Sequence, residues 1–260
     1  MADDKRSQLK KYFKKFPKAS IVLILLGLTS FPAGVDVFPA LVLLAIGGWL
    51  IYSWSQQPTD EQVDRWVAEA LQHVGKGALA KGGVDSSELV AETVVLYGPR
   101  FWDIGGADAG IKKGRDGILR FMPLGATVLN FTADQLLIYQ CALDLASGNL
   151  LNESTDEYFY RDIVSVSTQS ESLTPDRSVG ATGLSGGLLK ALTKREAVQF
   201  NSAEAFVLTT SAGTSVKAVL QDLTLIEKAG GGHIPTGLTD KAVHAVRKML
   251  REKKVVAGQT

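Results

Sequence analysis

The chain has one cysteine and three histidines in 260 residues, and between Lys18 and Asp60 it carries a single charged side chain. The lone Cys141 excludes an internal disulfide and any site built from several thiolates, and a single free thiol fits a reducing cytosol. His73, His233 and His244 fall on three separate predicted elements, with no cysteine or carboxylate at ligand spacing. No metal site and no cofactor are therefore expected. Charge of one sign is also lacking: the net charge is +1 on 28 basic and 27 acidic residues. Setting aside Lys5, Arg6, Lys10, Lys11, Lys14, Lys15, Lys18, Asp3, Asp4 and Asp36 leaves 21 basic and 24 acidic residues, a balance of −3. A nucleic-acid-binding surface is thereby excluded as the main business of the remainder.

Motifs that carry catalysis are missing as well. Gly105 and Gly110 mimic the spacing of a phosphate loop, but Ile111 stands where lysine is needed. Gly183-Leu184-Ser185-Gly186-Gly187 fits G-x-S-x-G, yet no strand precedes it, so the strained turn that would expose Ser185 is not expected. Cys141 lies mid-strand, where it reads as a small buried hydrophobe. Glu153, Asp156 and Glu157 read as solvated charges flanking a strand, and Asp103 and Asp108 as loop charges. No nucleophile, base and orienter can be assembled, so the chain is not expected to be an enzyme.

What is present begins with hydrocarbon. A helix needs roughly 20 apolar residues to cross a bilayer, so residues 19–54 are too many for one upright span and few for two. Pro32, Gly34 and Pro39 around Asp36 favour a turn. The expectation is a transmembrane hairpin over 19–54: one helix near 18–34, a turn at Asp36, and a second helix near 38–54. A re-entrant loop and a cleaved signal peptide are the alternatives. Trp49, Tyr52 and Trp54 suit the headgroup layer. The basic flank at 1–18 places both termini in the cytoplasm, at the plasma (inner) membrane.

Behind the hairpin, a linking helix is expected within 55–83. Thr59 and Gln62 have capping-box spacing. Val63, Trp66, Val67, Ala70, Leu71 and Val74 form one apolar stripe, which must pack on the domain or on a second copy. Trp66, Val67 and Leu71 are the self-association candidates. The helix is expected to fray in GKGALAKGG. Strands follow over about 88–220: Leu89–Tyr97, Ile118–Phe121, Thr127–Phe131, Leu136–Leu145, Leu150–Asp156, Glu157–Val166, Ala197–Phe200, Ala205–Thr209 and Ser215–Leu220. Residues 170–190 read as a flexible loop. A final helix beginning at Thr239 carries Ala242, Val243, Val246, Met249 and Leu250 on its apolar face. The fold class is α+β.

The hairpin FTADQLLIYQCALDLASGNLLNES, the following EYFYRDIVSV, the later FVLTTSAGTSVKAVL and the closing TDKAVHAVRKML together resemble a membrane-tethered bacterial pleckstrin-homology-like domain over 88–255, within a β-rich cytoplasmic domain expected at 84–260. The resemblance implies a β-barrel plugged by its last helix. It also draws attention to Lys112, Lys113, Arg115 and Arg120 in IKKGRDGILR, since phosphoinositide-reading members carry basic residues in an early strand loop. Phe101 and Trp102 are candidates for core pinning or for membrane or partner contact, and Lys248 and Arg251 could add a second basic contact. The expected function is a membrane-anchored interaction or assembly module for a protein partner or lipid headgroups, with a protein partner or a homo-oligomer as the expected assembly. A membrane-perturbing effector with a sensing domain and an enzyme of unrecognised type are the alternatives.

Overall fold

The computed structural model describes residues 2–14, 16–30, 37–100, 110–173, 200–222, 231, 233–234 and 237–257. The chain is α+β: helices at its front, a β-rich region, and a helix at its end. In order these are α1 (Ala2–Tyr12), α2 (Lys18–Ser30), α3 (Val37–Ser55), α4 (Asp60–Gly82), β1 (Val94–Pro99), β2 (Gly110–Lys113), β3 (Leu119–Met122), β4 (Leu124–Phe131), β5 (Gln135–Leu143), β6 (Leu150–Phe159), β7 (Ile163–Leu173), β8 (Phe200–Thr210), β9 (Ser215–Asp222) and α5 (Gly237–Ala257).

Helices α2 and α3 pack antiparallel through their small residues. Gly27 lies against Leu44 and the Ala40 carbonyl, and Gly47 against Ile24 and the Ser20 carbonyl. Their outward side chains, Leu25, Leu26, Phe38, Leu41 and Trp49 among them, are exposed. By length and composition α3 is apolar enough to cross a membrane, whereas α2 is shorter. The expected turn at Asp36 lies outside the described residues.

Helix α4 begins as its sequence dictates. The Gln62 amide donates to Thr59 Oγ1 and the Thr59 amide to Gln62 Oε1, a complete capping box. It does not fray at Gly75 and Gly77 but runs on to Gly82, ending at left-handed Gly83. Each interior glycine costs roughly 1 kcal/mol, and tertiary packing of Val74 and Ala78, both buried, offsets it. Gly82 itself is required, because a Cβ there would stand 2.4 Å from Leu137 Cδ2.

Four strands form an antiparallel sheet in the order β1-β4-β5-β6, three form a second in the order β7-β8-β9, and β2-β3 make a separate hairpin. Side-chain alternation splits the first sheet between two cores. Ala126, Val128, Tyr139, Cys141 and Leu143 face a layer made of α4, α1 and the β2-β3 hairpin. Leu129, Phe131, Leu136 and Ile138 face Phe206 and Leu208 of the second sheet and Val243, Val246 and Met249 of α5. Strand β1 lies beside β9 with no ladder between them, so no barrel closes there.

Several boundaries differ from expectation. The first strand is Val94–Pro99, since Ser86–Glu88 form a short 3-10 turn before it. The segments near 200 and 205–209 are one continuous strand, β8, bulged between Glu204 and Ala205. Residues 174–190 of the expected flexible loop lie outside the described residues, and 170–173 belong to β7.

The basic N-terminal flank is the largest addition. Leu9, Tyr12 and Phe13, at helical spacing, are buried in the same core as α4. The apolar pair α2–α3 is thus inserted into the domain after its first helix. Its two ends are adjacent, with Gln57 Nε2 donating to the Lys14 carbonyl at 3.0 Å. Replacing residues 16–55 with a short Gly/Ser linker should therefore leave a cooperatively melting domain. A chain beginning at residue 56, lacking the buried side chains of Leu9, Tyr12 and Phe13, should lose on the order of 5 kcal/mol. Equal stability of the two chains in denaturant titrations would refute this insertion.

Candidate functional site at the base of the apolar helices

Where α1 ends and α4 begins, the polar side chains converge. Tyr12, the last residue of α1, is fully buried, and its hydroxyl donates to Asp60 Oδ1 at 2.6 Å. Asp60 opens α4, and its Oδ2 accepts the Arg115 backbone N–H at 2.8 Å. One turn further along, Asp64 takes a two-pronged bond from Arg120: Nε to Oδ1 at 2.7 Å and Nη2 to Oδ2 at 2.6 Å. The same guanidinium holds Asp116, with Nη1 to Oδ1 at 3.1 Å and Nη2 to Oδ2 at 2.8 Å. Asp60 lies 4.0 Å from Nη1. One arginine, its side chain 5% exposed, thus neutralises carboxylates from α4 and from the β2-β3 turn.

Gly114 makes room for this cluster. A Cβ there would stand 2.2 Å from Arg120 Nη1, 2.5 Å from Asp116 Oδ1 and 2.8 Å from Asp60 Oδ2. A second layer of contacts ties in the ends of the apolar pair. Gln57 donates to the carbonyls of Lys11 and Lys14 at 2.7 and 3.0 Å and accepts from Lys112 Nζ at 2.9 Å. Lys112 Nζ sits 3.9 Å from the centre of the Tyr12 ring. Phe16, before α2, meets Trp54, at the end of α3, edge to face at 5.0 Å. Lys5 bridges to Glu69 at 2.8 Å and lies over Trp66.

The electrostatics follow from these contacts. Burial and the bond to Asp60 push the Tyr12 hydroxyl well above its ordinary range. Asp60 is lowered: burial opposes its charge, but hydrogen bonds from Tyr12 and Arg115 and the Arg120 charge outweigh it. Asp116 falls to about 2, chiefly through its bonds to Arg120. Burial pulls the Lys112 ammonium down. The guanidinium fills the position where the carboxylates converge, so the arrangement is a fastener of complementary charges.

The sequence candidates are distributed unevenly. Lys112 is half-buried and engaged as above, while Lys113 and Arg115 are exposed on the same hairpin. Lys248 and Arg251 are exposed on α5, which packs in the opposite layer, so the structure does not bring them to this site. Trp66, Val67 and Leu71 are half-buried against the core that α4 shares with α1 and the sheet. Phe101, Trp102, Asp103, Asp108 and Ser185 lie outside the described residues. Cys141 is fully buried, and burial pushes its thiol up to about 11. Glu153 accepts from Tyr139 and pairs with Lys81.

Sequence reasoning missed Tyr12, Asp60, Asp64 and Asp116, and treated Arg120 only as a possible phosphate contact. Signals existed. Leu9, Tyr12 and Phe13 have i, i+3, i+4 spacing within a basic segment, and Asp60 and Asp64 share one face of α4. Comparison with protein-family models, curated proteins and solved structures finds nothing that matches this chain.

The fastener is acid-labile in a defined direction. Asp60 and Asp116 have folded pKa values below the unfolded range of about 4, so their contribution is present above that range and is lost as pH falls from about 4 towards 2. The stability slope across that window should flatten in Asp116→Asn, as measured by denaturant titration at stepped pH. Arg120→Ala, which leaves carboxylates facing one another, should cost about 3 kcal/mol at neutral pH. An unchanged slope together with an unchanged midpoint would show that the cluster carries no stability.

Proposed function

We propose that this chain is a membrane-anchored interaction module: α2 and α3 are its anchor, and the β-rich domain is held at the cytoplasmic face of a plasma membrane to bind a protein partner. The observation that carries the reading is the fastening of both ends of the apolar pair to one domain. Segments before α2 and after α3 share Tyr12, Asp60, Gln57 and the Phe16–Trp54 contact. Two crossings return the chain to the side on which it started, which agrees with a domain built from both flanks. The exposed apolar side chains around α2 and α3 need a hydrocarbon solvent. The basic residues Lys14 and Lys18, both exposed at the pair's base, suit the positive-inside rule.

The order of two antiparallel sheets followed by a packed C-terminal helix supports a pleckstrin-homology-like reading of the domain. In this reading the outer face of the first sheet is taken up by α1 and α4, so the binding surface lies elsewhere on the domain.

Alkaline carbonate extraction tests the anchor. The full chain should stay with the membrane pellet, and the chain with residues 16–55 replaced by a linker should move to the supernatant. A reporter fused after Thr260 that is active only outside the cytoplasm should remain silent. Release of the full chain by carbonate, or an active reporter, would sink the reading.

A further inference from the structure

The two main sheets leave four outer edges, and three of them meet another element, β7 over part of its length. Strands β1 and β9 lie beside each other. Strand β7 runs against α5, whose Arg247 Nη2 donates to the Val166 carbonyl at 3.4 Å. Among the described residues strand β6 is laddered to β5 alone, and its contacts with other elements run through side chains, Glu153 with Lys81 and Tyr158 with Thr214, which leave the outer backbone edge of Ser154–Phe159 without a partner among those residues. Its register is regular from Ser154 to Phe159, opposite Gln140 to Gln135, after the irregularity at left-handed Asn152.

That regular stretch, Ser-Thr-Asp-Glu-Tyr-Phe, contains no proline, glycine or lysine to blunt it. It carries Asp156 and Glu157, whose side chains point to opposite faces of the sheet. Neither makes an ion pair with a described residue, whereas the nearby Glu153 is committed to Lys81 and Tyr139. An edge with a row of backbone donors and acceptors and one carboxylate on each face defines its own complement. The complement is an extended segment with a basic residue on each face, which two adjacent lysines or arginines supply. A second copy of this strand would set carboxylates against carboxylates, an arrangement that cross-strand repulsion disfavours.

We infer that the β6 edge, Ser154–Phe159, is the docking site through which the module takes a partner: an extended basic segment of another protein, added as a further antiparallel strand. This rests on the interaction-module reading and adds the surface and the chemistry of the partner. Main-chain hydrogen bonds would set the register, and the Asp156 and Glu157 pairings would select the sequence.

The test uses the full chain in detergent micelles and two synthetic peptides, Thr-Val-Thr-Lys-Lys-Val-Thr and its Glu-Glu counterpart. Titration should show binding of the lysine peptide only, weakening as salt rises. Amide exchange should slow within 150–159 when the lysine peptide is present. Asp156→Lys/Glu157→Lys, at one half-buried and one exposed position, should weaken binding at least about tenfold with the thermal midpoint of the variant measured alongside. Absence of binding, equal binding of the two peptides, an unaffected variant, or slowed exchange confined to another segment would each overturn the β6 assignment. Slowed exchange elsewhere would leave the module reading standing with a different surface, while carbonate release of the full chain would remove the module reading whatever the peptides do.

Discussion

A buried guanidinium holds this molecule together at its most consequential seam. Arg120 is drawn out of water only because Asp64 and Asp116 accept four hydrogen bonds from it, with the Asp60 carboxylate nearby. Burying one such charge without partners costs several kcal/mol, so the cluster works as a set. Asp60 then connects the set to Tyr12, and through Tyr12 to the helix that precedes the apolar pair. The β2-β3 hairpin, the first turn of α4 and the end of α1 are placed by one charge distribution. A loosely tied domain would tumble at the end of a linker; this one has its two entry points fixed against its own sheet.

That arrangement leaves the central strands β4 and β5 of the first sheet buried on both faces. An antiparallel sheet commonly leaves one face to water. Here Val128, Tyr139 and Cys141 are covered by α4 and α1, while Leu129, Phe131 and Ile138 meet the second sheet and α5. With both faces of these strands covered, the exposed part of the sheet is its edge strand β6. The acidic run at Asp156 and Glu157 lies on such an edge.

Much of this was legible in the residues. The apolar stretch, the capping box at Thr59 and the α+β class all follow from local chemistry, and the structure carries them. The role of α1 was not legible, because the dense lysines around Leu9, Tyr12 and Phe13 dominate any reading by composition. Spacing alone does not say that three apolar side chains complete a core whose other members begin at Val63. The Arg120 cluster was hidden for a related reason: its carboxylates come from segments about 50 residues apart, and each pair looks like ordinary surface charge until the fold brings them together. The task of Gly114, leaving space beside the guanidinium, is likewise set by groups that only the fold brings together.

The claim on which the account depends is that α1 is docked on α4 while the apolar pair is in a bilayer. Lys5 and Glu69, 2.8 Å apart, report on that contact directly. With both replaced by cysteine in membranes containing the full chain, a short bifunctional maleimide should join them within one molecule, and the fully buried Cys141 should stay unmodified. Efficient intramolecular cross-linking that is lost when Tyr12→Ala loosens the helix is the predicted result. Two independently modified cysteines with no internal cross-link would contradict the account, because α1 would then be a free flank and the apolar pair a tether.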